Sequence, residues 1–361
     1  MAEISLCMIV RDERETLARC LDSVKEAIDE IIIVDTGSKD ETRKIALRYT
    51  PHVYDFSWKD DFSAARNEAF AHATGDFLMW LDADDVVEDI QPLIRFKQEK
   101  LDGFDVVMAP YHVGFDVEGN PTFTYYRERI LRAGMGFRWE GAVHEAIAPR
   151  GRIGYADFVV RHEKMHPGEP GRNLRIYEKL LAEGHLFNPR ERFYYGRELA
   201  SAGRLEEAAR QLDSVIDDKT AWIENRIEAC AGLADCLERL GDSSGAMHAL
   251  CRSLVLDRPR PMIACALGSR FLKAGDLDTA RFWYEAALWS KENESSGAFI
   301  QKDYSGRIPL LQLCVIHDRL GQREVAYAYN EQAALLRPDD KAVQQNRRYF
   351  ERLGICKKNG K

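Results

Sequence analysis

Gly75-Asp76-Phe77-Leu78-Met79-Trp80-Leu81-Asp82-Ala83-Asp84-Asp85 is the stretch that decides the fold. Its apolar run, Phe77 to Leu81, has the length and bulk of a fully buried strand, and the acidic residues after it end that strand. The same pattern stands upstream. Ile31-Ile32-Ile33-Val34 is a β-branched run closed by Asp35-Thr36-Gly37-Ser38, and Ile4 to Val10 is another apolar run. Between these runs, Thr16 to Ala27 places Leu17, Leu21 and Val24 at helical spacing. Lys39 to Tyr49 and Ala64 to His72 also read as helices, with short strands near Val53 and at Val106 to Ala109. This alternation predicts an α/β domain with a mostly parallel sheet and helices on both faces. Ligands of such sheets bind beyond the carboxyl ends of the strands, where both acidic turns fall.

From about Arg190 the chain becomes rich in Ala and Leu, and a glycine recurs five residues before an alanine. The pairs are Gly203 and Ala208, Gly241 and Ala246, Gly275 and Ala280, and Gly321 and Ala326. Their glycines are 38, 34 and 46 residues apart, close to the ~34-residue period of tetratricopeptide repeats, which this half resembles. Each glycine lies between two helical patterns, where it suits the turn of a helical hairpin. Leu205, Ala208, Ala209, Leu212 and Val215 form one apolar stripe, and helices end near Pro259 and Pro338. The polar stretch from Ser290 to Gly297 reads as an inserted loop, and His166 to Gly171, with two prolines and two glycines, as a linker. The expected organisation is an α/β domain over 1–165, a linker over 166–189 and an all-α helical repeat domain over 190–361.

Composition removes several classes of function. The length of 361 residues favours two domains, and 30% charged residues fit a globular chain. No window approaches the ~18 apolar residues of a membrane span. Met1 to Val10 lacks a basic region and a cleavage site, so it reads as a strand and not as a signal peptide. The eight cysteines include no Cys-x-x-Cys pair, which speaks against structural zinc and for reduced thiols in a cytoplasmic protein. The net charge of −8 speaks against nucleic acid as a partner.

Asp82 and Asp84, one residue apart at a strand end, can both face a divalent cation such as Mg²⁺ or Mn²⁺ bridging to a diphosphate. Helix capping by an aspartate is the structural alternative. The first 85 residues settle the context. Ile4 to Glu15, Asp29 to Thr42, Trp58 to Asn67 and Gly75 to Asp84 together resemble the family 2 glycosyltransferases of GT-A fold. Joined to tetratricopeptide-like repeats, they are similar to a bacterial subgroup that includes peptide S-glycosyltransferases.

The resemblance implies a nucleotide sugar, UDP-linked by preference, as donor. It sets Asp35 against the nucleoside, where a carboxylate accepts the imide N–H of uracil, a turn role being the alternative. It places Arg11 and Glu13 at the base or ribose, Arg66 at the nucleotide or diphosphate, and Asp82 at the donor as well as the metal. Arg11 stands where the subgroup more often has Lys, so Glu13 transfers more safely. His162 completes the metal set with Asp82 and Asp84. Downstream, Phe137-Arg138-Trp139-Glu140-Gly141-Ala142-Val143-His144-Glu145 clusters aromatic, acidic and imidazole groups around a glycine. An inverting transfer needs a base there, and Glu145 comes first, His144 second and Glu140 third. The expected acceptor is a peptide or protein held by the repeats. A saccharide or lipid-linked glycan is the alternative acceptor. A homodimer is the alternative use of the repeats, and a non-catalytic scaffold the alternative for the whole chain.

Overall fold

The structure, a computed structural model, describes residues 2–165, 168–290 and 297–355. His166 and Pro167 of the expected linker, most of the expected loop after Ser290, and Cys356 lie outside the described residues. The chain divides into two compact units, the first running to Leu186 and the second starting at Phe187. No helix of the described residues is long and apolar enough to cross a membrane.

The first unit is built on one mixed sheet. Strands β1 (Ile4–Val10), β2 (Glu30–Asp35), β3 (Val53–Asp55) and β4 (Phe77–Trp80) are parallel in the order β3-β2-β1-β4. Further strands are β5 (Asp85–Val87), β6 (Val106–Phe115), β7 (Pro121–Arg132), β8 (Ile153–Tyr155) and β9 (Val160–His162). β7 joins β4 antiparallel and forms a long antiparallel hairpin with β6, which pairs in parallel with β8 and β9, so the sheet is mixed. The hairpin turn is closed by Asp116, whose Oδ1 accepts from the Asn120 backbone N–H at 2.7 Å. Side chains alternate across β4. Phe77 and Met79 enter one core with Leu6, Met8, Leu17 and Leu21, while Leu78 and Trp80 enter the other with Cys7, Val34 and Trp139.

Helices α1 (Leu17–Val24), α2 (Thr42–Ala46) and α3 (Phe62–His72) stand where helical patterns are expected, and a further helix, α4 (Ile90–Glu99), follows β5. A fifth, α5 (Arg172–Ala182), stands inside the stretch read as linker and buries Ile176 and Tyr177.

The second unit consists of helices α6 (Pro189–Ser201), α7 (Leu205–Ile216), α8 (Ile223–Arg239), α9 (Ser243–Leu256), α10 (Pro261–Ala274), α11 (Leu277–Trp289), α12 (Arg307–Arg319), α13 (Arg323–Leu336) and α14 (Lys341–Arg352). Gly203, Gly241, Gly275 and Gly321 separate α6 from α7, α8 from α9, α10 from α11 and α12 from α13. Each has φ between +78° and +87°, which a side chain would strain. The alanines five residues on are fully buried in all four hairpins. They are small where two helices pack closely.

Candidate active site

β4 ends at a tight acidic turn. The Asp85 N–H donates to the Asp82 carbonyl at 3.0 Å, and the Asp82 N–H donates to Asp85 Oδ2 at 3.1 Å. The turn feeds β5, whose first residue, Asp85, is the antiparallel partner of His162 on β9. His162 Nδ1 therefore lies 3.3 Å from Asp84 Oδ1 and 3.2 Å from Asp85 Oδ1. These three groups are close enough to hold one metal ion. Burial alone would lower the imidazole's pKa, but its hydrogen bonds to Asp84 and Asp85 push it up to about 10. An imidazole beside two carboxylates is a donor set that suits Mn²⁺.

The three groups differ in freedom. Asp85 is fully buried, and it accepts from Tyr111 Oη at 2.8 Å and from Arg129 Nη1 at 3.1 Å. The Asp84 side chain is 19% exposed, and its backbone carbonyl accepts from the Glu163 N–H at 2.8 Å. Asp84 and His162 thus form the open side of the cluster, while Asp85 is anchored behind them.

Asp82 turns to a different partner. Its Oδ1 accepts from Arg66 Nη2 at 2.6 Å, and Arg66 Nε donates to Glu145 Oε1 at 2.7 Å. Burial would raise the Asp82 pKa, but the Arg66 charge and hydrogen bond hold it below the usual carboxylate range. The guanidinium lies 5.2 Å from the Trp80 ring and 4.7 Å from the Trp139 ring. Its Nη1 is buried and has no hydrogen-bond partner among the described residues. Asp82 and Asp84, paired in the sequence, thus take different partners: Asp82 pairs with Arg66, and Asp84 with His162.

On the β1 and β2 side, Asp35 Oδ1 accepts from the N–H groups of Gly37 at 2.9 Å and Ser38 at 2.7 Å, closing the turn after β2. Arg11 is exposed just beyond β1. Glu13 is half-buried. Its Oε2 accepts from Thr16 Oγ1 at 2.6 Å, and its N–H donates to Thr42 Oγ1 at 2.6 Å. Burial raises the Glu13 pKa, and its hydrogen bond from Thr16 opposes that rise while Asp84, Asp82 and Asp40 add to it. Glu13 therefore sits within electrical reach of the acidic turn.

The segment from Trp139 to Ala146 brings Glu145 to Arg66. Glu140 is exposed, but its backbone pairs with that of Ala146 through hydrogen bonds of 3.0 and 3.1 Å. His144 lies between them at φ +53°, a left-handed conformation that costs a non-glycine residue strain. Glu145 is 12% exposed.

Residues 5–149 match the family described as glycosyl transferase family 2. This part of the chain is a family 2 glycosyl transferase domain. A TPR repeat-containing protein of Synechococcus elongatus is 33% identical over 80% of this chain and 66% of its own length. The SPbeta prophage-derived glycosyltransferase SunS of Bacillus subtilis is 29% identical over 62% of this chain and 55% of its own. The chain thus spans about half to two thirds of these relatives. A solved structure of Pseudomonas aeruginosa pilF is 22% identical, with a TM-score of 0.38, over 50% of this chain and 75% of that chain.

Within the glycosyl transferase domain, residue pattern alone did not single out Asp85, although it follows directly on the acidic pair. Its burial depends on Arg129 and Tyr111, which come from strands remote in sequence. Asn67 was visible only as part of a motif, and its two hydrogen bonds to Trp139 give it a definite position.

Proposed function

We propose that the chain is a metal-dependent, inverting glycosyltransferase that moves a sugar from a UDP-sugar to a peptide or protein. The observation that carries this reading is the adjacency, at one strand end of a family 2 domain, of the Asp84–Asp85–His162 cluster and the Asp82–Arg66–Glu145 chain of ion pairs. Asp84 and His162 would hold Mn²⁺ or Mg²⁺, with Asp85 anchored behind them. When bound, such an ion neutralises the diphosphate of the departing nucleotide. Asp35, Arg11 and Glu13 line the nucleoside side. Arg66 supplies positive charge toward the donor, and Asp82 fixes that guanidinium beside the metal site. Glu145 takes the acceptor's proton as the acceptor atom bonds to the anomeric carbon. The bond from that carbon to the phosphate oxygen breaks on the opposite face, and UDP leaves with the electron pair. His144 is the second candidate for the base.

The deciding experiment is donor hydrolysis by the full chain across UDP- and GDP-sugars. At least one UDP-sugar should be cleaved with Mn²⁺ and none in excess EDTA. Cleavage of none would leave a binding scaffold.

The acceptor reading rests on the helical hairpins, which stack into an extended surface suited to a polypeptide. A saccharide acceptor is the second reading, favoured by a 25% identity over 42% of this chain to the lipopolysaccharide core biosynthesis glycosyltransferase LpsC of Rhizobium meliloti. A homodimer has its own support. Val255, Trp289 and Leu335 each stand fourteen residues after a hairpin glycine, and they are 88%, 69% and 86% exposed. Exposed apolar side chains recurring at the same place in three hairpins fit a protein partner better than solvent. Residence in the cytoplasm goes with the free thiols of the described cysteines, of which Cys251 is exposed.

Shortening the chain separates donor from acceptor chemistry. A chain ending at Leu186 should bind UDP and hydrolyse the donor slowly, yet lose transfer to a macromolecular acceptor. One ending at Pro170 lacks α5 and should lose the fold of the loop it covers, because Tyr177 Oη donates to the Val143 carbonyl and Lys179 pairs with Asp60 at 2.7 Å. Circular dichroism and a UDP thermal shift on both chains check this. Parent-rate transfer by the Leu186 chain would assign the repeats to dimerisation.

A further inference from the structure

The loop that carries Glu145 has little regular structure of its own, so its position must be imposed. Helix α3 imposes it at three points. Asn67 uses both ends of its amide on one residue: Nδ2 donates to the Trp139 carbonyl at 3.0 Å, and Oδ1 accepts from the Trp139 N–H at 2.9 Å. That is the pairing a neighbouring strand would supply. The Phe62 N–H donates to the Ala142 carbonyl at 2.9 Å, and Arg66 reaches Glu145. Asn67 and Arg66 are consecutive, so the residue that fixes the start of the loop is covalently next to the residue that receives its end. Between the two grips, His144 is held at positive φ, a conformation that persists only where the surroundings enforce it.

We infer that Asn67 is a positioning residue for sugar transfer, whose amide clamp on Trp139 delivers Glu145 to Arg66 in the orientation from which it accepts the acceptor's proton. The inference rests on the reading of Glu145 as the base. Asn67 is half-buried and touches neither the Asp84–Asp85–His162 cluster nor the Asp35 turn. Loss of the clamp should therefore spare donor binding and act on the rate.

Hydrogen exchange and a double-mutant cycle test this on the full chain. Asn67→Ala should speed amide exchange within 139–146 and leave exchange in β1, β2 and β4 unchanged. It should lower the turnover number about tenfold or more, on whichever of UDP-glucose, UDP-galactose or UDP-N-acetylglucosamine the parent hydrolyses with Mn²⁺. The KM for that donor and the affinity for UDP should stay within about twofold. Asn67→Asp should behave alike, because its second oxygen would face the Trp139 carbonyl. In a Glu145→Gln background, Asn67→Ala should cost nothing further, since both changes remove one function. Unchanged exchange at 139–146 overturns the inference whatever the donor. An equal rate loss in both backgrounds overturns it while leaving the base reading intact. Parent-like turnover by Glu145→Gln alone instead removes the base reading, and the positioning role with it.

Discussion

Asp84→Ala should abolish transfer and weaken UDP-sugar binding in Mn²⁺ by roughly a hundredfold or more, the scale expected when a metal site loses an essential group. Asp85 cannot replace it. Both Asp85 oxygens are engaged, Oδ1 by Tyr111 and His162 and Oδ2 by Arg129 and the Asp82 N–H. The Arg129 side chain is fully buried against Asp85, so one negative charge of the cluster is already balanced from behind. What remains for a cation is Asp84 with His162. Because the Asp84 side chain is partly exposed, Asp84→Ala should keep its melting temperature within a few degrees. Asp85→Asn should not, because it leaves the Arg129 charge buried without its counter-ion, which typically costs about 3–5 kcal/mol. Calorimetric titration of UDP with Mn²⁺, alongside thermal unfolding of both variants, separates the two roles. Wild-type turnover by Asp84→Ala, or activity undiminished by excess EDTA, would refute the metal assignment.

The same contrast explains what was legible before the structure. Phe77 to Trp80 announced itself because a parallel strand covered on both faces needs an unbroken apolar run. The hairpin glycines were equally plain, since a left-handed turn between two helices leaves few other choices. The β6–β7 hairpin was not plain. β7 buries Thr124, Glu128 and Arg129 among its apolar residues, so its alternation is disguised by charges whose partners lie elsewhere in the chain. Arg129 packs 3.9 Å from the Trp80 ring and 4.2 Å from the Tyr111 ring, and no local pattern encodes that sandwich. Helix α5 was hidden for another reason. Pro170 and Gly171 directly precede it, and such punctuation reads as linker although Ile176 and Tyr177 are buried. The different partners of Asp82 and Asp84 follow from the turn itself: Asp82 pairs with Arg66 on α3, and Asp84 with His162 on β9.

Glu145→Gln should leave UDP affinity nearly intact and lower transfer by roughly a hundredfold or more, as loss of a general base does. The substitution preserves shape. A glutamine oxygen still accepts from Arg66 Nε where Glu145 Oε1 does now, so the loop should keep its place. What disappears is the capacity to take up a proton. Glu145 Oε2 has no hydrogen bond among the described residues, which leaves that oxygen for the acceptor. The charge change favours the nucleotide if it acts at all. Arg66 would keep Asp82 as its one carboxylate partner, and a less neutralised guanidinium attracts a diphosphate more strongly. Affinity for UDP, measured by titration, and turnover, measured by UDP release, should therefore move apart. If UDP affinity collapses together with the rate, Glu145 belongs to the donor site. His144, one residue earlier and held at positive φ, then becomes the base to test through His144→Asn.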